Sequence, residues 1–273
     1  MPQDIQLVER KLLPASEKYL PILRRVTQIR SHVSDDIKWG RNEMPGTEIG
    51  TTRDVQKKSA YHHGDLKNSI IDAVSQLIGQ RKALDFQLKD VAALVGTSTP
   101  AIYRHFTSKQ DLLVETAVAG YEFQKAFRGH ALEQCGTSPL AKLLSIGYAY
   151  VHFAKECPGL YLLMKNLETD EILSSERYQE ERDEGLSLVR SLVQECIDTG
   201  LFIEIDTDLA MASLQATAFG LAHLYLGNQV AYVAPSLLGD RDLVAKVFAI
   251  AVRSLLSEKG QHRIAEASQN PFT

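Results

Sequence analysis

The sequence predicts an all-α protein made of a small three-helix unit followed by a larger helical body. Three observations carry this. Residues Gln87 to Leu113 (QLKDVAALVGTSTPAIYRHFTSKQDLL) split into two short helices around a tight turn, with a third opening at once. No segment alternates apolar and polar residues well enough to read as a strand, whereas helical spacing recurs throughout. Charge is divided too. Lys57 to Lys109 holds eight Lys or Arg against four Asp or Glu, so this segment is +4 while the remainder carries −8 of the net −4. A basic unit on an acidic body offers one face to polyanions and repels them elsewhere.

Residues 1–33 have helix-like spacing at Ile5, Val8 and Leu12, then at Ile22, Val26, Ile29 and Val33. Residues 34–59 lose the period and contain Gly40, Pro45, Gly46 and Gly50, as a linker does. Residues 1–59 therefore read as a partly disordered extension. An arm reaching out through Arg24, Arg25, Arg30, Lys57 and Lys58 is the sharper alternative. The first helix of the three-helix unit should run from about Leu66 to Gly79, capped by Asp65 and stopped by Gly79, with Leu66, Ile70, Val74, Leu77 and Ile78 inward.

The next helix carries Leu88, Val91, Leu94 and Val95 on one stripe. Gly96 follows where a left-handed cap is needed, a conformation that costs glycine least. Ser98 can cap the following helix and Pro100 fits its first turn. Ile102 and Phe106 point inward, which leaves Thr99, Pro100, Ala101 and Arg104 outside. Such a pair of helices is a helix-turn-helix, whose second member enters the DNA major groove. Ser108 should cap a longer helix, to about Phe127, joining the unit to the body.

This stretch resembles the DNA-binding head of the TetR family of transcriptional regulators. The shared pattern is Ala92, Gly96, Ser98, Tyr103, His105, Phe106, Lys109 and Leu112, extended upstream by Tyr61 to Leu66. Gln87 departs from it where a capping Thr or Ser is usual, and Thr97 replaces an apolar turn residue. The resemblance implies base-reading positions at Thr99, Pro100 and Ala101, with Lys89 reaching a guanine edge. It implies phosphate contacts from Tyr103, His105 and Lys109. Arg104 shares that outer face, the helix N-terminus at Ser98 can add backbone donors, and His63 would lie near a phosphate.

The body should hold helices over 139–155, from Pro158 through Asn166, over 174–198 with the charged run 180–184 on the wet side, near 207–230 and near 240–258. Segments 150–154 and 158–164 are similar to the ligand-domain core of one branch of the same family. Gln215 and Phe219-Gly220 stand where that branch often has a Trp and a His-Gly. The aromatic and polar residues Tyr148, His152, Tyr161, Met164, Tyr178, Phe219 and His223 are candidate ligand contacts, with plain core packing as the alternative for each. The expected division is 1–59 extension, 60–110 DNA-binding head, 111–260 ligand-binding and dimerisation domain, and 261–273 tail.

Other chemistries find little support. Cys135, Cys157 and Cys196 are odd in number and in no metal-like spacing, so they read as buried thiols in a reducing cytoplasm. His62-His63-Gly64-Asp65 lacks the further ligands of a metal-dependent phosphohydrolase, and no phosphate loop, zinc spacing or nucleophile elbow occurs. No enzyme activity, metal or cofactor is expected. Leu209 to Gly239 has no Asp, Glu, Lys or Arg and could span a bilayer by length, but its polar side chains fit a buried subunit interface better. The resemblance implies a cytoplasmic homodimer that represses transcription on a palindromic operator and is released by a small-molecule inducer. An activator with the same head, and a membrane-associated or protein-binding helical module, are the alternatives.

Overall fold

The computed structural model describes residues 66–268 and Pro271, and among these the fold is helical, with one isolated bridge between Phe202 and Leu256. His63, Asp65 and the extension 1–59 lie outside the described residues.

The head is α1 (Leu66–Arg81), α2 (Leu88–Val95) and α3 (Thr99–Tyr103). Helix α1 does not stop at Gly79. It runs two residues further because Gly79 is a packing residue, where a Cβ would come within 3.3 Å of the Gly159 nitrogen. The chain then turns at Lys82, which takes a positive φ of 55°. Helix α2 buries Val91, Ala92 and Val95, but Leu94 is 42% exposed, so the stripe is narrower than its spacing suggests. Gln87 still heads a capped helix, because Asp90 accepts the Gln87 backbone N–H at 3.0 Å. That bond and Arg81 together hold the Asp90 carboxyl below its usual range.

The body is α4 (Lys109–Gln134), α5 (Pro139–Glu156), α6 (Pro158–Lys165), α7 (Asp170–Leu173), α8 (Glu176–Asp198), α9 (Thr207–Leu226), α10 (Val230–Val233), α11 (Leu243–Ala251) and α12 (Glu258–Ala267). Three boundaries differ from expectation. Helix α4 continues seven residues past Phe127, since Ala131 and His130 are buried against the body. The uncharged segment breaks at Gly227 and Asn228 (φ 54°) into α9, α10 and a 3-10 turn. The C-terminal segment forms α12 instead of a tail, capped by Ser257 on the Gly260 N–H. Gly260 allows this, because a Cβ there would come within 2.1 Å of the Leu201 carbonyl oxygen.

Head and body share one core. Ile70, Val74 and Phe106 belong to the same buried cluster as Phe123, Phe153, Tyr161 and Tyr178. At its centre α1 crosses α6 with Gly79 facing Gly159, which lets the two backbones meet. Two polar links reinforce the seam. Glu115 on α4 bridges Lys67 of α1 at 2.7 Å and Arg177 of α8 at 2.6 Å, and Lys82 Nζ donates to the Leu226 carbonyl at 3.4 Å. A second cluster, with Leu144, Tyr148, Phe248 and Leu256, fills the far end of the body. There Gly147 seats the Phe248 ring, which an added Cβ would meet at 2.6 Å.

The acidic run on α8 is only partly wet. Glu181 and Glu184 turn to Lys125 on α4, and Glu184 also lies 3.4 Å from Arg128. Of the cysteines, Cys157 and Cys196 are buried, and burial pushes both thiols up, Cys196 to about 12. Cys135 is half-exposed.

Candidate nucleic-acid interface and ligand cavity

The turn between α2 and α3 is built as its residues require. Gly96 takes φ 73° and ψ 32°, and its N–H bonds the Ala92 carbonyl. The Ser98 hydroxyl accepts from the Ala101 N–H at 3.4 Å, with Pro100 in the first turn. Ile102 and Phe106 are about 1% exposed and fix the rotation of α3. Regular helix ends at Tyr103, although the Phe106 N–H still reaches the Ile102 carbonyl at 3.1 Å.

That rotation leaves one outward surface. Lys89, Ser98, Pro100, Tyr103, Arg104 and His105 are exposed, and Thr99 and Ala101 are half-buried beside them. Tyr103 is an aromatic residue 53% open to solvent, which packing does not require. Of the expected DNA-facing residues among those described, these eight are exposed or half-buried, and Lys109 differs. The Lys109 ammonium is turned inward. It donates to the Leu84 carbonyl at 2.7 Å and the Phe86 carbonyl at 2.6 Å, and lies 4.2 Å from the centre of the Phe86 ring. Desolvation lowers its pKa. Lys109 thus clasps the loop before α2, a role that its place in the pattern does not disclose.

The ligand candidates do not converge on one cavity. Tyr148 is buried in the second cluster, edge-on to Phe248. His152 stacks on Phe127, with Nδ1 4.0 Å from Glu156. Tyr178 donates to the Met164 carbonyl at 2.9 Å and to Glu168. Tyr161, Phe219 and His223 form an aromatic group joined by Tyr150, and the His223 ring nitrogens contact the Phe219 carbonyl at 2.9 Å and Asn166 Nδ2 at 3.1 Å. None of the seven candidates lines the cavity described next.

That cavity, of about 80 Å³, opens between α4, α5, α6, α8 and α9. Its walls include Tyr121, Ile146, Ala149, Tyr150, Leu186 and Val189, and its polar groups include Arg128, Lys165, Arg182 and Gln215. Lys165 Nζ donates to the Tyr121 hydroxyl at 3.0 Å and faces its ring at 5.0 Å. Sequence reading missed Lys165, although one signal was available: it ends the otherwise apolar turn Leu160 to Met164.

Burial lowers the Lys165 pKa to about 8, from 10.5. The unfolded chain therefore binds more protons between about pH 8 and pH 10.5, and the contribution of this group to stability rises with pH across that window. Below pH 8 its burial costs at most about 3 kcal/mol. Lys165→Met should melt higher than the parent at pH 7, and the gap should shrink as pH rises to 10 in paired thermal melts.

Residues 70–116 match the family model for bacterial regulatory proteins of the tetR family. Residues 143–248 match the tetracyclin repressor-like C-terminal domain, and the two together cover more than half of the chain. The chain belongs to the TetR family of transcriptional regulators. It is a DNA-binding regulator, and its helix-turn-helix is the DNA-binding unit.

Solved structures share the TetR fold at low identity. A Rhodococcus sp. RHA1 protein of unknown function is 22% identical, covering 73% of this chain and 100% of its own, with a TM-score of 0.60. FadR from Bacillus subtilis, solved with stearoyl-CoA, is 18% identical over 69% of this chain and 98% of its own, with a TM-score of 0.55. PfmR from Thermus thermophilus is 20% identical over 69% and 96%, with a TM-score of 0.53. A search of curated proteins gave no sequence match.

Proposed function

We propose that this TetR-family regulator is a cytoplasmic homodimeric repressor that a small molecule releases from a near-palindromic operator. The observation that carries the reading is the outward surface of the head. Thr99, Pro100 and Ala101 would meet base edges, and Lys89 would reach a guanine from the preceding helix. Tyr103, Arg104 and His105 would hold phosphates, aided by backbone donors at Ser98 and by His63. Lys109 would serve the same surface indirectly, by fixing the loop that sets α2.

The dimer would pair α9 and α11 across a two-fold axis as a four-helix bundle. Two features support this. Helix α9 is long and apolar enough to cross a membrane, yet only 28% of its apolar window is buried within the chain. Leu209 is 60% exposed and Ile250 on α11 is 69% exposed. A second copy covering these side chains accounts for them without a bilayer. Leu209→Glu with Ile250→Glu should leave a folded monomer by light scattering, with operator affinity lower by at least tenfold.

The domain division follows: a head of residues 60–110 and a ligand-binding and dimerisation body from 111. Helix α4 belongs to both, so a ligand that prefers a body shape with wrongly spaced heads would release DNA by that difference in affinity. The ligand seen in the FadR fold-mate supports ligand responsiveness and leaves the ligand here open. Selection of bound duplexes from a random pool tests the reading. It should return a two-fold symmetric site with half-sites about 34–36 Å apart. A pool without an enriched motif would contradict it.

A further inference from the structure

The cavity walls differ sharply in chemistry. Ile146, Ala149, Leu186 and Val189 make an apolar floor, and Tyr121 and Tyr150 add aromatic edges. Against them stand Arg128, Lys165 and Arg182, and no Asp or Glu lines the cavity. Arg128 is engaged by Glu184, and Arg182 by its neighbour Asp183 at 3.0 Å. Lys165 is different. Its hydrogen-bond partner is a neutral hydroxyl; Glu168 acts on it only at longer range, forms no salt bridge with it, and is taken up by the Tyr178 hydroxyl. A half-buried cation without a directly paired anion is costly to keep.

We propose that this cavity binds a small organic monocarboxylate, its charged end on Lys165 beside Arg182 and its apolar body on Ile146, Ala149, Leu186 and Val189. The carboxylate supplies the charge that Lys165 lacks, and Gln215 and the Tyr121 hydroxyl can complete its hydrogen bonding. The volume sets the size. About 80 Å³ is several times the roughly 10–15 Å³ that one water needs but about half of a cavity of roughly 150 Å³ that takes benzene, which is room for the carboxylate and first carbons of a single-ring or short-chain acid whose far end lies in the cavity's opening. The proposal deepens the ligand-responsive reading and rests on it for the step from binding to DNA release, but not for binding itself.

Matched probes test it on the full chain by calorimetry at pH 7. Benzoate is set against benzyl alcohol and hexanoate against hexan-1-ol, with inorganic phosphate as the charge-only control. One acid of the two should bind at least tenfold more tightly than its alcohol and than phosphate, and which acid does so separates aromatic from aliphatic ligands. Lys165→Met should abolish that preference while melting at or above the parent temperature, a combination that a merely structural lysine would not give. Arg182→Gln should weaken acid binding about threefold or more, and keeps the test open if the first variant does not fold. Equal binding of acid and alcohol overturns the proposal. So does preference intact in the variants, or no binding of either acid at millimolar concentration. Acid binding that leaves operator affinity unchanged upholds the cavity and removes the inducer reading alone. Absence of operator binding leaves the calorimetry unaffected.

Discussion

Gly159→Ala is expected to be the most damaging single-methyl change in the protein. The added Cβ would stand 1.8 Å from the Ser75 carbonyl oxygen, which is backbone within α1 and cannot rotate away. Helix α6 must then lift off α1, opening the one core that head and body share. Overpacking costs typically about 1–3 kcal/mol and more where the neighbour is rigid, so about 3 kcal/mol or more is expected here. That corresponds to a fall of about 6–12 °C in Tm for a chain of this size. Gly79→Ala faces the same seam at 3.3 Å and should cost less. Gly220→Ala is the control, measured in the Leu209→Glu/Ile250→Glu background because α9 belongs to the proposed dimer face. It lies on the open face of α9 with nothing within 4 Å of the added carbon, so the isolated chain should gain about 0.5–1 kcal/mol from helix propensity. Thermal melts of the three variants check the order.

Lys109→Met is the second large effect, and it separates two roles. The variant loses two charge-assisted bonds and leaves the Leu84 and Phe86 carbonyls without their ammonium partner, at a cost of about 2–3 kcal/mol. Operator affinity should fall because α2 loses its anchored loop. The salt dependence of binding should not change. A lysine on a phosphate would reduce the slope of log K against log salt by about 0.9 when removed. Arg104→Ala, from the exposed surface, should show that smaller slope with an unaltered melt.

The head was legible in the sequence because its signals are local. Gly96 needs positive φ, Ser98 and Ser108 cap the helices that follow them, and Ile102 and Phe106 share a face; each can be read within four residues. The failures are non-local. Gly79 looked like a stop, but its reason for being glycine is Gly159, eighty residues away. Leu94 fits the α2 stripe, yet it is 42% exposed among the described residues. Lys109 sits in a DNA-binding pattern, but its ammonium is claimed by a loop whose path the pattern does not encode. Helix α12 falls in the expected tail because its anchor, the Leu201 carbonyl beneath Gly260, is distant in sequence.

The ligand candidates show the same limit. Aromatic residues at helical spacing mark a core without saying which of them faces a void, and none of the seven lines the cavity around Lys165. The cavity is identified by a charge out of place, Lys165 at the end of an apolar turn, rather than by aromatic content.

The most direct measurement is a mobility-shift titration of the purified protein on the DNA upstream of its own gene, at fixed salt with excess competitor, beside the Tyr103→Ala/Arg104→Ala variant. Both side chains are exposed, so the variant should fold normally. The outward surface of α3 predicts a specific shift for the parent and a loss of at least tenfold in affinity for the variant. A specific shift of equal strength for both would contradict the assignment of this surface to DNA.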